Sequence, residues 1–422
     1  MKNMNNGPLM YMIFHWGALK PYVTISSIKR RSLMRGKLVS QPFMENAVKA
    51  TGLEDFGGDT FRHGLEALIY SLNNDLNLAE GTTGYFQQVI TQILVNRLQV
   101  TQLIKDHPEI LDEKIKSPVF ILGLPRSGTT ITHTLMALDP LSRFLRNFES
   151  AAAVCPAPSL MPPEPDPRVQ TGHDAMEGLY AMGPKLRGIN GINFMALGTA
   201  ECQNLMAHEF VHAGWSAGSS LFGHGNWVGS CDMTPAYLWH KQLLQMFQWK
   251  SPNERWVLKA PIHLFGLETL METYPDARII FTHRDPFEAM MSGVSMVSHW
   301  TQLTTGQVDI AAVAEWYPAL WAKGLMRALE VRDTLRKDRV IDIFHTDLTQ
   351  NPLGSMKSIY EHFGIPFSRT VEKRMKVWLR DNPRSKFGSH SYNPADLGLD
   401  PNQEKERFGF YLKRFNLNGA EA

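Results

Sequence analysis

The stretch that decides the fold is SPVFILGLPRSGTT, residues 117–130. It opens with a short apolar run, residues 119–122, bounded by Pro118 and Gly123, and this pattern predicts a buried strand of a parallel sheet. A glycine-containing turn follows, and then apolar residues at helical spacing. Glycine lets the backbone approach an anion, and a helix start presents N–H groups and the positive end of its dipole. This order of elements therefore predicts a phosphate-binding loop.

The turn has the spacing of the P-loop of nucleoside triphosphatases, with Gly123 and Gly128 at its two ends. Thr129, however, stands where that motif has its lysine, and the cationic residue comes earlier, at Arg126. This shift predicts a protein that holds a phosphate-like group without magnesium-dependent hydrolysis of a nucleotide. The alternative is an ordinary turn between a strand and a helix.

A second stretch, ARIIFTHRDPFEAMMS at residues 277–292, predicts another phosphate site. Its apolar run predicts a second buried strand, and Pro286 predicts the start of a helix. Ser292 follows Arg284 by about 2.2 helical turns, so the two side chains fall near one face. A guanidinium and a hydroxyl on one face can bind one phosphate.

These two stretches resemble motifs of the sulfotransferase superfamily that uses 3′-phosphoadenosine 5′-phosphosulfate (PAPS). The resemblance covers residues 117 to about 414 and is to the branch shared by tyrosylprotein-type and many bacterial small-molecule sulfotransferases. It implies transfer of a sulfuryl group from PAPS to a hydroxyl or amine of a small acceptor, with no metal. It implies that Arg284 and Ser292 bind the 3′-phosphate. The implied ligands of the 5′-phosphosulfate are Arg126, Ser127, Gly128, Thr129 and Thr130.

The predicted catalytic residues follow from the same resemblance. Lys259 ends a short apolar run, at the carboxyl end of a predicted strand where α/β sheets place their ligands, and it resembles the catalytic lysine of the superfamily. Some members carry a histidine base two residues later, but Pro261 stands there and His263 follows it. Glu149, after the helix that follows the loop, resembles the carboxylate base of the branch. Glu149 is therefore the predicted base and His263 the alternative; a structural role at a helix end is the other interpretation of Glu149.

The stretch NPRSKFGSHSY, residues 382–392, lacks helix signals and resembles the loop that closes over the 3′-phosphate. This implies that Arg384 and Lys386 also bind the donor. A solvated basic loop is the alternative.

Two short motifs indicate competing functions. HEFVH, residues 208–212, matches H-E-x-x-H, in which two histidines of one helix bind zinc and Glu209 would be the base. His224 is the only imidazole nearby for a third ligand. GWSAG, residues 214–218, matches the nucleophile elbow of serine hydrolases, but a Gly/Ser-rich segment follows where a helix is required. A zinc metallohydrolase and a non-catalytic protein that binds the desulfated donor are the alternatives to a sulfotransferase.

The chain of 422 residues is almost neutral, with 43 Lys and Arg against 41 Asp and Glu, so its charge does not indicate a nucleic-acid partner. Its 3 cysteines form no pattern, which favours a reducing compartment over a disulfide scaffold or structural zinc. The apolar segment 9–19 is broken by His15 and too short to span a membrane. We therefore expect a soluble, cytoplasmic protein without a membrane span.

The predicted fold class is α/β, a P-loop-like parallel sheet flanked by helices. Residues 1–116 are predicted to form a helical N-terminal region, because residues 61–76 and 85–104 carry apolar side chains at helical spacing. Residues 117–422 would form the sulfotransferase-like domain. Within it, residues 176–250 are rich in aromatic side chains, and the resemblance implies that they cover the acceptor. We therefore expect a small apolar or aromatic acceptor; the oligomeric state is not indicated.

Overall fold

Five parallel strands form the central sheet of the computed structural model, which describes residues 37–75, 80–152, 167–183, 195–249, 255–383 and 394–417. The strands are β1 (Val119–Gly123), β2 (Ser142–Arg143), β3 (Arg255–Lys259), β4 (Arg278–His283) and β5 (Val340–Phe344). Their order across the sheet is β2-β3-β1-β4-β5, and each neighbouring pair runs parallel. The predicted α/β class is confirmed.

Strand β1 lies in the middle of the sheet and is buried along its whole length. Its side chains alternate between the two faces, as strand geometry requires. Phe120 and Leu122 pack in one core, whereas Val119 and Ile121 pack in another on the opposite face. Both faces are covered, which explains why the strand is apolar at every position before its final glycine.

The carboxyl ends of the inner strands lie at one edge of the sheet. Gly123 of β1 pairs with Thr282 of β4, and Ile121 of β1 pairs with Lys259 of β3. The segments that follow these three strands therefore meet at the edge where open α/β sheets bind their ligands.

Three α-helices precede the sheet in the described part of the chain: α1 (Gln41–Thr51), α2 (Phe61–Asn74) and α3 (Glu80–Asp106). The helices predicted over residues 61–76 and 85–104 are found as α2 and α3. Their apolar faces share one core with side chains from residues 207–221. A common core thus crosses the boundary predicted at residue 116, and the division into two domains stays a prediction.

The other α-helices of the described chain lie between the strands or after the last one. They are α4 (Thr129–Ala137), α5 (Asn147–Ala152), α6 (Pro167–Met182), α7 (Gln203–Met206), α8 (Ala213–Ser219), α9 (Phe222–Val228), α10 (Thr234–Gln248), α11 (Leu267–Thr273), α12 (Pro286–Thr305), α13 (Ile310–Thr334), α14 (His345–Gln350), α15 (Pro352–His362), α16 (Arg369–Asp381), α17 (Pro401–Arg407) and α18 (Gly409–Phe415). Short 3₁₀ helices lie at Pro108–Asp112, Ala207–Glu209, Pro261–Phe265, Lys337–Arg339 and Pro394–Leu397.

The aromatic side chains of the predicted acceptor cover are mostly buried. Tyr237, Trp239 and Phe247 of α10, together with Trp249, belong to the main core of the molecule. These rings stabilise the fold, and the covering role of residues 176–250 stays a prediction.

Among the described residues, no helix is both long enough and apolar enough to cross a bilayer. The cellular compartment stays a prediction.

Candidate active site

The predicted phosphate loop connects the end of β1 to the start of α4, and its glycines are required by its backbone. Gly123 has φ +148°, and a Cβ atom there would lie 2.4 Å from the carbonyl oxygen of Thr282. Gly128 has φ +99°, in the left-handed region that favours glycine. Arg126 also has positive φ, +70°, and such strained non-glycine residues concentrate at functional sites.

Ser127 connects this loop to β4 through its hydroxyl group. Its hydroxyl donates to the carbonyl oxygen of Leu124 at 2.6 Å and lies 2.6 Å from the hydroxyl of Thr282. The side chain is fully buried. Phosphate binding by Ser127 stays a prediction, as it does for Thr129 and Thr130 at the start of α4.

The residues of the two predicted phosphate sites touch each other. Arg126 Nε donates to Ser292 Oγ at 3.0 Å, and Arg284 Nη1 donates to the backbone oxygen of Arg126 at 2.9 Å. Ser292 is buried, whereas Arg284 is partly exposed and also pairs with the Glu288 carboxylate at 3.2 Å. Two guanidinium groups and one hydroxyl thus converge where β1 and β4 end.

The start of α12 fixes the positions of Arg284 and Ser292. Asp285 caps the helix, because its carboxylate accepts a hydrogen bond from the N–H of Glu288 at 3.0 Å. Pro286 takes the first helical position, where a missing N–H costs nothing. The helix start predicted from the sequence is confirmed.

Lys259 reaches the same edge of the sheet from the end of β3. Its amino group is buried and forms an ion pair with the carboxylate of Glu201, which precedes α7. The second oxygen of that carboxylate accepts from the side-chain amide of Gln203 at 2.5 Å. No motif or periodicity surrounds Glu201 in the sequence, so it was not among the predicted site residues.

Tyr317 of α13 is buried against α12, next to Ser292. A Cβ atom on Gly293, the neighbour of Ser292, would lie 3.0 Å from its hydroxyl. Burial raises the pKa of Tyr317, Arg126 opposes that rise, and Glu201 adds to it.

Glu149, the predicted base, accepts hydrogen bonds from two neighbouring arginines. Arg143 donates to its carboxylate from both terminal nitrogens, at 2.7 and 3.1 Å, and the backbone N–H of Arg146 donates at 2.9 Å. The carboxylate side chain is only 4% exposed. These contacts stabilise the turn between β2 and α5. A catalytic role for Glu149 stays a prediction.

His263, the alternative base, is fully buried below the sheet edge in the 3₁₀ helix Pro261–Phe265. Its Nδ1 lies 2.7 Å from the hydroxyl of Tyr237, and its ring meets Phe120 edge-on. Burial lowers the pKa of His263 well below its usual value, and the charges of His240 and Lys259 lower it further. The ring is therefore neutral and packed in the core.

Comparison with known proteins identifies the family. The family model described as "Sulfotransferase family" matches residues 118–369, more than half of the chain. The chain belongs to the sulfotransferase family. It is an enzyme that transfers sulfuryl groups, as the motifs at residues 117–130 and 277–292 predicted.

Named relatives and solved structures agree with this membership. This sulfotransferase is similar to the omega-hydroxy-beta-dihydromenaquinone-9 sulfotransferase Stf3 of Mycobacterium bovis, with 22% identity over 283 residues, 65% of this chain and 69% of that protein. The crystal structure of sulfotransferase STF9 from Mycobacterium avium superposes with a TM-score of 0.79 and 26% identity, over 93% of this chain and 99% of that one. The structure of sulfotransferase STF1 from Mycobacterium tuberculosis gives a TM-score of 0.76 and 28% identity, over 89% and 99%.

The HEFVH stretch of this sulfotransferase is not a continuous helix. Its first two residues end a 3₁₀ helix, Phe210 takes a left-handed conformation with φ +58°, and His212 caps the next helix. Glu209 forms a buried ion pair with Arg97 at 2.7 Å. The helical geometry required for zinc binding is therefore absent from these residues.

The GWSAG stretch likewise lacks the geometry of a nucleophile elbow. Ser216 lies inside α8 and is fully buried, with its hydroxyl 2.9 Å from His224 Nδ1. The other ring nitrogen of His224 lies 2.9 Å from the carbonyl oxygen of Phe210. This pair joins three segments of the core.

Arg384 and Lys386 lie outside the described residues. Within the described ranges, no group of three or more His, Cys, Asp or Glu side chains is placed to hold a metal ion.

Proposed function

We propose that this sulfotransferase takes its sulfuryl group from PAPS and transfers it to the hydroxyl group of an apolar acceptor. The observation that carries the proposal is the contact among Arg126, Arg284 and Ser292 where β1 and β4 end. A donor with phosphate groups at both its 5′ and 3′ positions needs two adjacent anion sites, and these residues supply them.

Each end of the donor has its own ligands in this proposal. Arg126, the N–H groups at the start of α4 and Lys259 bind the sulfuryl group and the 5′-phosphate that leaves. Arg284 and Ser292 bind the 3′-phosphate, with Arg384 and Lys386 as further candidates. Like phosphoryl transfer, the reaction depends chiefly on positioning and on stabilising charge, which these cations provide.

Glu201 is the proposed proton acceptor. As the acceptor oxygen attacks sulfur, its proton passes to the Glu201 carboxylate, and the bond between sulfur and the 5′-phosphate oxygen breaks. The products are the sulfate ester and adenosine 3′,5′-bisphosphate, whose new charge Lys259 and Arg126 stabilise. The ion pair with Lys259 and the hydrogen bond from Gln203 fix the carboxylate for this role.

The acceptor is proposed to be an apolar alcohol. Met195 and Leu197, in the segment that leads to Glu201, are exposed at 44% and 51%. Exposed apolar side chains beside a site favour an apolar ligand. The relative Stf3 is named for a hydroxylated dihydromenaquinone, which is such an alcohol.

Two measurements test the proposal in sequence. Adenosine 3′,5′-bisphosphate should bind at least tenfold more tightly than AMP, because a charge-assisted phosphate contact contributes about 1.5–3 kcal/mol. Calorimetric titration of both nucleotides measures this ratio. Transfer of labelled sulfate from PAPS is then assayed with long-chain alcohols, aromatic alcohols, amines and a polysaccharide.

Each result has a distinct meaning. Equal affinity for the two nucleotides would rule out the proposed donor site. Tight binding of the bisphosphate without transfer to any of these acceptors would support the donor site and refute the proposed acceptor. Transfer to the polysaccharide alone would refute the apolar acceptor.

A further inference from the structure

The C-terminal helix α18 is connected to the proposed 3′-phosphate site through His283. His283 is the last residue of β4 and directly precedes Arg284. Its ring is fully buried and stacks on Phe415 of α18, with ring centroids 4.0 Å apart. Its Nε2 lies 2.8 Å from Asp342 Oδ1, and its Nδ1 lies 3.0 Å from the hydroxyl of Tyr411, also on α18.

These partners fix the proton positions. Burial lowers the pKa of His283, against the opposing effect of Asp342, and above that pKa the ring is neutral and carries one proton. A carboxylate only accepts hydrogen bonds, so that proton lies on Nε2 and points at Asp342. Nδ1 is then an acceptor, and the Tyr411 hydroxyl must donate to it.

Tyr411 and Phe415 of α18, together with Asp342, thus hold the ring of His283 next to the backbone of Arg284. Hydrogen bonds therefore join Tyr411, His283 and Asp342 in one series. Arg332 closes the series with an ion pair to Asp342.

We propose that Tyr411 is a positioning residue for the 3′-phosphate site. Its hydroxyl holds the ring of His283, the residue directly before Arg284, and the Arg284 guanidinium donates to the backbone oxygen of Arg126 at 2.9 Å. Tyr411 lies outside residues 118–369, the part of the chain that the family model matches. The inference rests on the proposed function, because it requires that Arg284 bind the 3′-phosphate of the donor.

The test is the effect of Tyr411→Phe on nucleotide discrimination. Phenylalanine keeps the ring and removes only the hydroxyl, so the affinity for adenosine 3′,5′-bisphosphate should fall about three- to tenfold. The affinity for AMP, which lacks the 3′-phosphate, should not change. In an Arg284→Ala background, Tyr411→Phe should cause no further loss. Calorimetric titration gives all of these constants.

Tyr360→Phe is the matched control, because Tyr360 is also fully buried and its hydroxyl contacts Asp139 at 3.1 Å, on another side of the sheet. This control should leave the affinity ratio of the two nucleotides unchanged. Equal losses for both nucleotides in Tyr411→Phe, or a full further loss in the Arg284→Ala background, would overturn the inference. If wild-type protein itself fails to discriminate between the nucleotides, the proposed function fails instead.

A measurement on the wild-type protein makes the test independent of any variant. If Tyr411 couples α18 to the 3′-phosphate site, binding at that site must stabilise α18 by linkage. Amide hydrogen exchange of residues 409–415 should slow with saturating adenosine 3′,5′-bisphosphate and not with saturating AMP. Equal protection by both nucleotides would contradict the coupling.

Discussion

At the scale of single residues, Glu149 and Glu201 compete for the role of base, and their partners distinguish them. Glu149 accepts three hydrogen bonds from Arg143 and Arg146, which close a local turn. Glu201 instead pairs with Lys259, the last residue of a sheet strand, and is 29% exposed. A partly exposed carboxylate beside the proposed catalytic cation is the better candidate for proton transfer.

We expect Glu201→Gln to lower kcat by about 10²–10⁴-fold, the usual effect of removing a general base. Glutamine keeps an acceptor oxygen for Lys259, so the affinity for adenosine 3′,5′-bisphosphate should be unchanged. Steady-state sulfate transfer and calorimetric titration measure the two quantities.

Glu149→Gln is the matched variant. It should lower the free energy of unfolding, because it weakens the buried pair with Arg143, and should lower kcat less than Glu201→Gln does. His263→Ala should also lower kcat less. A larger loss of kcat in Glu149→Gln would support the base predicted from the sequence and would leave Glu201 with only the role of orienting Lys259.

At the scale of elements, the unit formed by β1, the phosphate loop and α4 depends on its glycines. Gly123 combines a positive φ with close contact to Thr282, whereas Gly306 at the end of α12 has φ +79° and open space around it. Gly306 is therefore required only by its backbone angle, whereas Gly123 is also required by its contact with the backbone of β4.

This difference predicts the stabilities of two alanine variants. Gly306→Ala should cost about 1–2 kcal/mol, the strain of a left-handed residue. Gly123→Ala should cost about 2–5 kcal/mol, because overpacking adds to the strain. Urea unfolding compares the variants. Equal losses would show that β4 moves away at no cost and that contact with Thr282 does not fix the loop.

At the scale of the whole molecule, Arg97 joins the N-terminal helices to the rest of the chain. It extends from α3, pairs with Glu209 and donates to the backbone oxygens of Phe56 and His208. Its guanidinium lies over the ring of Trp239, 4.0 Å from the centroid. Burial lowers the pKa of Arg97, and the Glu209 carboxylate counteracts that effect.

We expect Arg97→Met to lower the free energy of unfolding by about 3–5 kcal/mol, because it leaves a buried carboxylate without its cation. The control is Arg62→Met: its partner Asp59 is 80% exposed, and loss of such a surface pair should cost less than about 1 kcal/mol. Replacing Glu209 as well, in Arg97→Met/Glu209→Leu, should recover part of the loss. A small effect of Arg97→Met would indicate that the N-terminal helices are held by apolar packing alone.

The amino-acid sequence determined the phosphate loop, the strands β1, β3 and β4, and the start of α12. Each of these depends on residues that are close in the chain. A short apolar run fits a strand covered on both faces, and a glycine permits a positive φ. These relations are local, so the motifs that resemble those of the sulfotransferase superfamily could be recognised in the sequence alone.

Only the tertiary structure decided which distant side chains meet. Glu201 lies 58 residues from Lys259, and Tyr411 lies 128 residues from His283. No periodicity or motif surrounds Glu201 or Tyr411 in the sequence. The sequence patterns therefore indicated Glu149 and HEFVH as candidate sites instead. Burial removes charged and polar groups from water, so each of them needs a hydrogen-bond or ion-pair partner inside the protein. Which partner it meets depends on how the helices and strands pack together, and that is a property of the whole fold.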